Sequence, residues 1–137
     1  MSDVKITAAR QAQSAASKQD TLARLRAKKR RTRTVEVEVN GEKLKLVFGA
    51  ISSHDLDALQ GKHTPTVEQR ARGMNFNPDT FGPALVAACL VDPEMSYEEA
   101  LEIWTSTEWS TGELQTLFSA ASELCMEGMN VPFSGTA

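Results

Sequence analysis

Two histidines, His54 and His63, and two cysteines, Cys89 and Cys125, are the side chains of this sequence best suited to hold a metal or act as a nucleophile. Zinc and related ions need three or four such groups at characteristic spacings. Neither histidine has a cysteine or carboxylate so placed. His54 and Asp57 form an imaginable ligand pair, but Ser53 and Asp55 beside them read more simply as a helix start. Both cysteines fall inside apolar helical patterns and read as small buried hydrophobes in a reducing compartment. The eight glycines are scattered, so there is no phosphate-cradling loop. Serines are numerous, yet none stands in a nucleophile-elbow context. Glu94, Glu98, Glu99 and Glu102 line the outer face of a capped helix, where a solvated row complementing the helix dipole is simpler than an acid–base pair. The pattern argues against an enzyme, and no cofactor or metal is expected.

The remaining charge-bearing feature is the run Arg24, Arg26, Lys28, Lys29, Arg30, Arg31 and Arg33. Residues 1–33 carry ten Lys or Arg against two Asp, a net +8, and residues 34–137 carry five basic against sixteen acidic side chains, a net −11. Such a run suits phosphate contacts, which weaken steeply with salt. Aromatic residues for base stacking are not interleaved with it, and an acidic body repels a polyanion. The competing reading is an arm that lies on an acidic protein surface, its own body included.

These residues are positioned by elements with clear local signals. After Ile6, residues 1–33 hold only Leu22 and Leu25 as large apolar side chains, and form a basic arm that is helical or disordered. From Thr34 the pattern changes. Val35, Val37 and Val39 alternate with Glu36 and Glu38; Asn40-Gly41 follows; then Leu44, Leu46 and Phe48 alternate with Lys43 and Lys45. This is a β-hairpin over 34–49, with Glu facing Lys across the solvent side. A hairpin alone is marginal, so helices over 53–128 must cover its apolar face. Ser53 starts a short helix stopped by Gly61, and residues 62–76 form a polar loop holding one turn around Val67–Arg72. Asn77-Pro78 caps a central apolar helix running from Phe81 to Val91, ended by Asp92-Pro93. Ser96 with Glu99, and Ser110 with Glu113, are capping boxes that open the last two helices. Gly128 is a natural C-cap, and 129–137 is a flexible tail. The fold class is α+β, mainly α: a hairpin on a bundle of four to five helices forming one domain over 34–128. No run is long and apolar enough to cross a membrane, and the N-terminus has no secretory pattern, so the cytoplasm is the expected address.

Trp104 lies on an apolar helical stripe and reads as core. Trp109 precedes the N-cap Ser110, where a staple to Leu114 competes with a role as a binding anchor. Met74, Phe76, Met126, Met129, Val131 and Phe133 form a looser apolar set, some of which a partner can meet.

The order of parts resembles the tail assembly chaperones of long-tailed bacteriophages. The hairpin Val35–Phe48, Phe81-Gly82-Pro83-Ala84-Leu85-Val86, Leu90-Val91-Asp92-Pro93-Glu94-Met95-Ser96, Trp109-Ser110-Thr111-Gly112-Glu113 and Leu117-Phe118-Ser119-Ala120-Ala121 carry the resemblance, which covers residues 34–125. The basic arm lies outside it. The resemblance implies a protein of the host cytoplasm, absent from the mature virion, that coats the tape measure protein until tail tube subunits polymerise around it. It also implies a longer frameshifted product that shares this portion and adds a part binding the tail tube protein; the chain here suits the short, unshifted form. A homo-oligomer around a rod-like client fits the same picture. The candidate contact residues are Phe81, Trp104, Trp109, Leu117, Phe118, Met126 and Met129, serving a helix-in-groove mode. Two alternatives stand beside this reading. One is a nucleic-acid-binding accessory protein using residues 24–33; the other is a minor structural subunit of the tail.

Overall fold

A computed structural model describes residues 16–128. Within it, α1 (16–26) is exposed along nearly its whole length and leads through a short irregular stretch into the hairpin. Strand β1 (Thr32–Val39) pairs antiparallel with β2 (Glu42–Gly49), with Asn40 and Gly41 both at positive φ, 52° and 83°. Those are the angles a two-residue hairpin turn with matching twist requires, and only Asn, Asp and Gly adopt them readily. Glu36 stands opposite Lys45, and Glu38 opposite Lys43, as the alternation predicts.

Four helices follow: α2 (Ser53–Lys62), α3 (Val67–Ala71), α4 (Pro78–Cys89) and, after a short strand β3 (Leu90–Asp92), α5 (Tyr97–Thr105). The last element among the described residues is α6 (Thr111–Met126), which packs against β1, β2 and α4. The architecture is α+β and mainly α, with a three-stranded antiparallel sheet in the order β1-β2-β3.

The caps explain where the helices start. Ser96 accepts from the Glu99 backbone N–H while the Glu99 carboxylate accepts from that of Ser96, and Ser110 with Glu113 repeats the arrangement. Thr66 and Gln69 form a third such box ahead of α3. Asn77 caps α4, with Pro78 in its first turn.

Four boundaries differ from the sequence reading. β1 starts at Thr32, so Arg33 belongs to the sheet and not to the arm. α2 starts at Ser53 as expected, capped by Ser52, but runs through Gly61 to Lys62 because nothing there demands a left-handed residue. α4 ends at Cys89 rather than Val91, since Leu90–Asp92 is drawn off to pair with β2, Phe48 opposite Leu90. α6 ends on Glu127 in an extended conformation, not on a glycine cap at Gly128.

α4 is the hub. Phe81, Leu85, Val86 and Cys89 are buried in it, together with Phe48 from β2 and Leu117, Ala121 and Leu124 from α6. Each fully buried Phe or Leu contributes about 1.5–3 kcal/mol relative to exposure. Gly82 and Pro83 are poor helix formers inside this helix, and their reason is packing. A Cβ at Gly82 would meet the Trp104 indole at 3.0–3.3 Å, so glycine lets α5 approach closely.

Candidate functional site

The basic run divides where the body begins. Arg30 folds back onto the junction of sheet and helices: its Nε donates to the Ala50 carbonyl at 2.8 Å, and its Nη2 to the carbonyls of Gly49 at 2.8 Å and Ala88 at 3.2 Å. Gly49 makes room for it, because a Cβ there would lie 2.5 Å from Arg30 Nε and 2.9 Å from the Val91 side chain. Arg31 donates to the backbone carbonyls of Glu127 and Gly128 and lies 3.3 Å from the Glu127 carboxylate. Arg33 pairs with that same carboxylate. Arg30, Arg31 and Arg33 are therefore fastened to their own body. Arg24 pairs with Asp20 one helical turn away, both side chains well exposed, and Lys28 donates to the neighbouring Lys29 carbonyl. Arg26 and Lys29 are exposed.

Beneath this clamp lies an open basin of about 760 Å³. Lys28, Lys29, Arg30 and Arg31 form one wall; Ile51, Ser52, Asp55, Leu124, Cys125 and Glu127 are among the residues of the other. Cys125 lines this basin, and its sulfur lies 3.5 Å from that of the buried Cys89, both as free thiols. Burial first, and the adjacent Cys125 sulfur second, push the Cys89 thiol well above its ordinary value, against a smaller opposing effect of Arg30.

A separate crevice runs between β1 and α6. Two shallow hollows of about 360 and 220 Å³ share Thr116 and so lie end to end. Val35, Val37 and Val39 form one wall, and Trp109, Thr116, Leu117 and Ala120 the other. Glu36, Glu38 and Glu113 rim the Trp109 end. The Ser110 backbone N–H, and then its hydroxyl, hold the Glu113 carboxyl below the ordinary range, and Ser96 does the same for Glu99. The Glu113 charge beside Trp109 thus persists to lower pH than that of a free glutamate.

The candidate contact residues scatter. Phe81 and Leu117 are 2% and 5% exposed, so they are core, and Phe81 offers no surface to a partner. Leu117 reaches the crevice floor only. Trp104 is half-buried over Gly82, consistent with its core reading. Phe118 is half-buried and packs edge-on to Phe81, with ring centroids 6.2 Å apart, and Phe76 and His63 complete the same aromatic group. Trp109 is half-buried at the mouth of the crevice, and Met126 is 74% exposed at the end of α6. Met129, Val131, Phe133 and the rest of the tail lie outside the described residues, as do residues 1–15 of the arm.

Sequence reasoning missed the basin, the crevice and the thiol pair. Gly49 was the available signal for the first, as a glycine with no turn to serve at the end of a strand. His54 and His63 stand apart, and among the described residues no group of three His, Cys, Asp or Glu is placed to hold a metal ion. Among those residues no helix is long and apolar enough to cross a membrane. No family model, no curated protein and no solved structure matches this chain.

Proposed function

We propose that this chain is a tail assembly chaperone of a long-tailed bacteriophage, which binds the tape measure protein in the host cytoplasm and keeps it soluble while tail tube subunits polymerise. The observation that supports the reading best is the β1–α6 crevice, walled by Val35, Val37 and Val39 and by Leu117 and Ala120, with Trp109 and Glu113 at its mouth. The lining stretch of β1, from Arg33 to Val39, makes this trough about 20 Å long, the span of roughly 13 residues of helix. An amphipathic client helix fits it, apolar side down, with a cation toward Glu113. The sequence motifs from Phe81 to Ala121 support the same family. Aromatic anchors in partly dry troughs carry a large share of interface energy, so Trp109 is the first contact to remove. A net charge of −11 on residues 34–137 opposes self-association of the loaded complex.

On this reading the protein is absent from the finished particle, and a longer frameshifted form supplies the contact to the tail tube protein. Co-expression with a fragment of the tape measure protein is the test. The fragment is expected in the soluble fraction with the wild-type chain and in the pellet with Trp109→Ala. A fragment that stays insoluble beside the wild-type chain overturns the proposal. Stoichiometric recovery of the chain from purified particles by mass spectrometry favours the structural-subunit alternative instead. The nucleic-acid alternative loses cations to the body, because Arg30, Arg31 and Arg33 already have partners. A gel shift lost on removal of residues 1–29, without effect on client solubility, would restore it.

A further inference from the structure

We propose that Cys125 and Cys89 form a reversible dithiol–disulfide pair, in which Cys125 reacts first with an anionic low-molecular-weight disulfide of the glutathione class and Cys89 resolves the adduct. This goes beyond the chaperone reading and does not depend on it. Three observations carry it. The two sulfurs stand 3.5 Å apart on different helices, α4 and α6, so a modest closure reaches the roughly 2 Å of a covalent bond. Their surroundings differ: Cys89 is 0% exposed, whereas Cys125 is half-buried and opens into the basin. The basin itself carries Lys28, Lys29, Arg30 and Arg31 against Asp55 and Glu127, an excess of positive charge at the one place where a thiol meets solvent. Its volume of about 760 Å³ is in the range that takes a tripeptide-sized ligand. Glutathione-class disulfides carry several carboxylates, so the basin concentrates them beside Cys125.

The chemistry balances as two exchanges. The Cys125 thiolate attacks one sulfur of the small disulfide; that S–S bond breaks, a thiolate leaves and takes up the proton Cys125 released. The product is a mixed disulfide at Cys125. Cys89 then loses its proton and attacks the Cys125 sulfur; the mixed S–S bond breaks, and the second small thiol departs with that proton. Two cysteine thiols have lost two electrons and two protons, and the small disulfide has gained both. Excess small thiol reverses each step. The order follows from access, since a disulfide molecule cannot reach Cys89 through the folded core. The high proton affinity of the buried Cys89 thiol points the same way, and proximity offsets it in the second step. The bridge would tie the C-terminal turn of α6 to the hub helix.

The test uses the full chain in mixtures of reduced and oxidised glutathione, quenched with acid and read by intact mass and peptide mapping. The wild type is expected to lose two hydrogens, with a peptide linking positions 89 and 125 and no lasting adduct. Cys89→Ser should accumulate one glutathionyl group at Cys125, and Cys125→Ser should stay unmodified while folded. In the Cys89→Ser background, Lys28→Ala with Lys29→Ala should slow adduct formation about threefold or more, while leaving the rate with uncharged hydroxyethyl disulfide unchanged. A wild type that resists a large excess of oxidised glutathione, or that carries an adduct on each cysteine, overturns the pair. Equal slowing with both probes overturns the role of the basin. The wild-type mass result decides the central point even if a serine variant fails to fold, as circular dichroism would reveal.

Discussion

Replacing Arg30 with alanine removes three hydrogen bonds that hold the arm to the body, and the consequence can be worked through. A hydrogen bond contributes about 0.5–1.5 kcal/mol net, more when the donor is charged. Two of the three, to Ala50 and Ala88, are solvent-exposed, and the one to Gly49 is partly buried. Taking the exposed bonds at the lower end and the Gly49 bond near the middle gives a loss of about 2 kcal/mol. For a body of about a hundred residues this lowers the thermal midpoint by roughly 10 °C. Because the acceptors are neutral carbonyls, the loss should be nearly the same at low and high salt, unlike that of the ion pairs to Glu127. Arg30→Lys keeps the charge but cannot reach three carbonyls with one ammonium, so it should recover less than half. Lys29→Ala serves as the control for charge alone. Differential scanning calorimetry of the four proteins checks the set. An unchanged midpoint in both Arg30 variants would refute the clamp and return Arg30 to the cations available for other partners.

Further outcomes follow from the helices and the core. Gly82→Ala adds about 1 kcal/mol of helix propensity but sets a Cβ 3.0 Å from the Trp104 indole, so it should destabilise by about 1 kcal/mol net. In a Trp104→Phe background the same change should turn neutral or stabilising, by urea titration. The Glu113 carboxyl is held below its ordinary range, so its contribution is present above the unfolded value near pH 4.3 and lost as pH falls through the folded value. Glu113→Gln should keep the capping box yet flatten that part of the acid profile, whereas Glu113→Ala should lower stability at neutral pH too. Cys89 is raised, so its contribution is complete below the unfolded thiol value near pH 8.5 and declines above it, by up to about 1.4 kcal/mol per pH unit. The difference in urea midpoint between wild type and Cys89→Ala should therefore shrink from pH 8 upward; a constant difference across that range counts against a buried neutral thiol.

What was legible in the sequence was local. Val35 to Val39, Asn40-Gly41 and Leu44 to Phe48 specify the hairpin within a dozen or so residues, and the capping boxes at Ser96 and Ser110 reach only three residues. Their physics lies in neighbouring positions, so pattern reading finds it. What was not legible depends on residues far apart in the chain. Nothing near Leu90 announces that it will leave the helix to pair with Phe48. Nothing around Cys89 names Cys125 as its neighbour, 36 positions away. Arg30 reads as one cation among many until Gly49, Ala50 and Ala88 present three carbonyls to it. The candidate contact list suffered for the same reason. An apolar residue on a helix has an inward and an outward reading, and only the packing of α4 against α6 separates buried Phe81 from exposed Met126.

The pairing of Arg31 and Arg33 with Glu127 does more than add ion pairs. It brings the two ends of the body to one corner, residues 31 and 128 being joined by a 2.9 Å hydrogen bond. The body is thus close to a closed loop of chain. It should tolerate circular permutation, with a short Gly-Ser link across that corner and new ends opened in the exposed stretch near Lys62. That corner lies beside the basin into which Cys125 opens, and its Arg33 also lines one end of the β1–α6 crevice. In such a permutant a tag or tether would leave from the new ends near Lys62 and not from that corner.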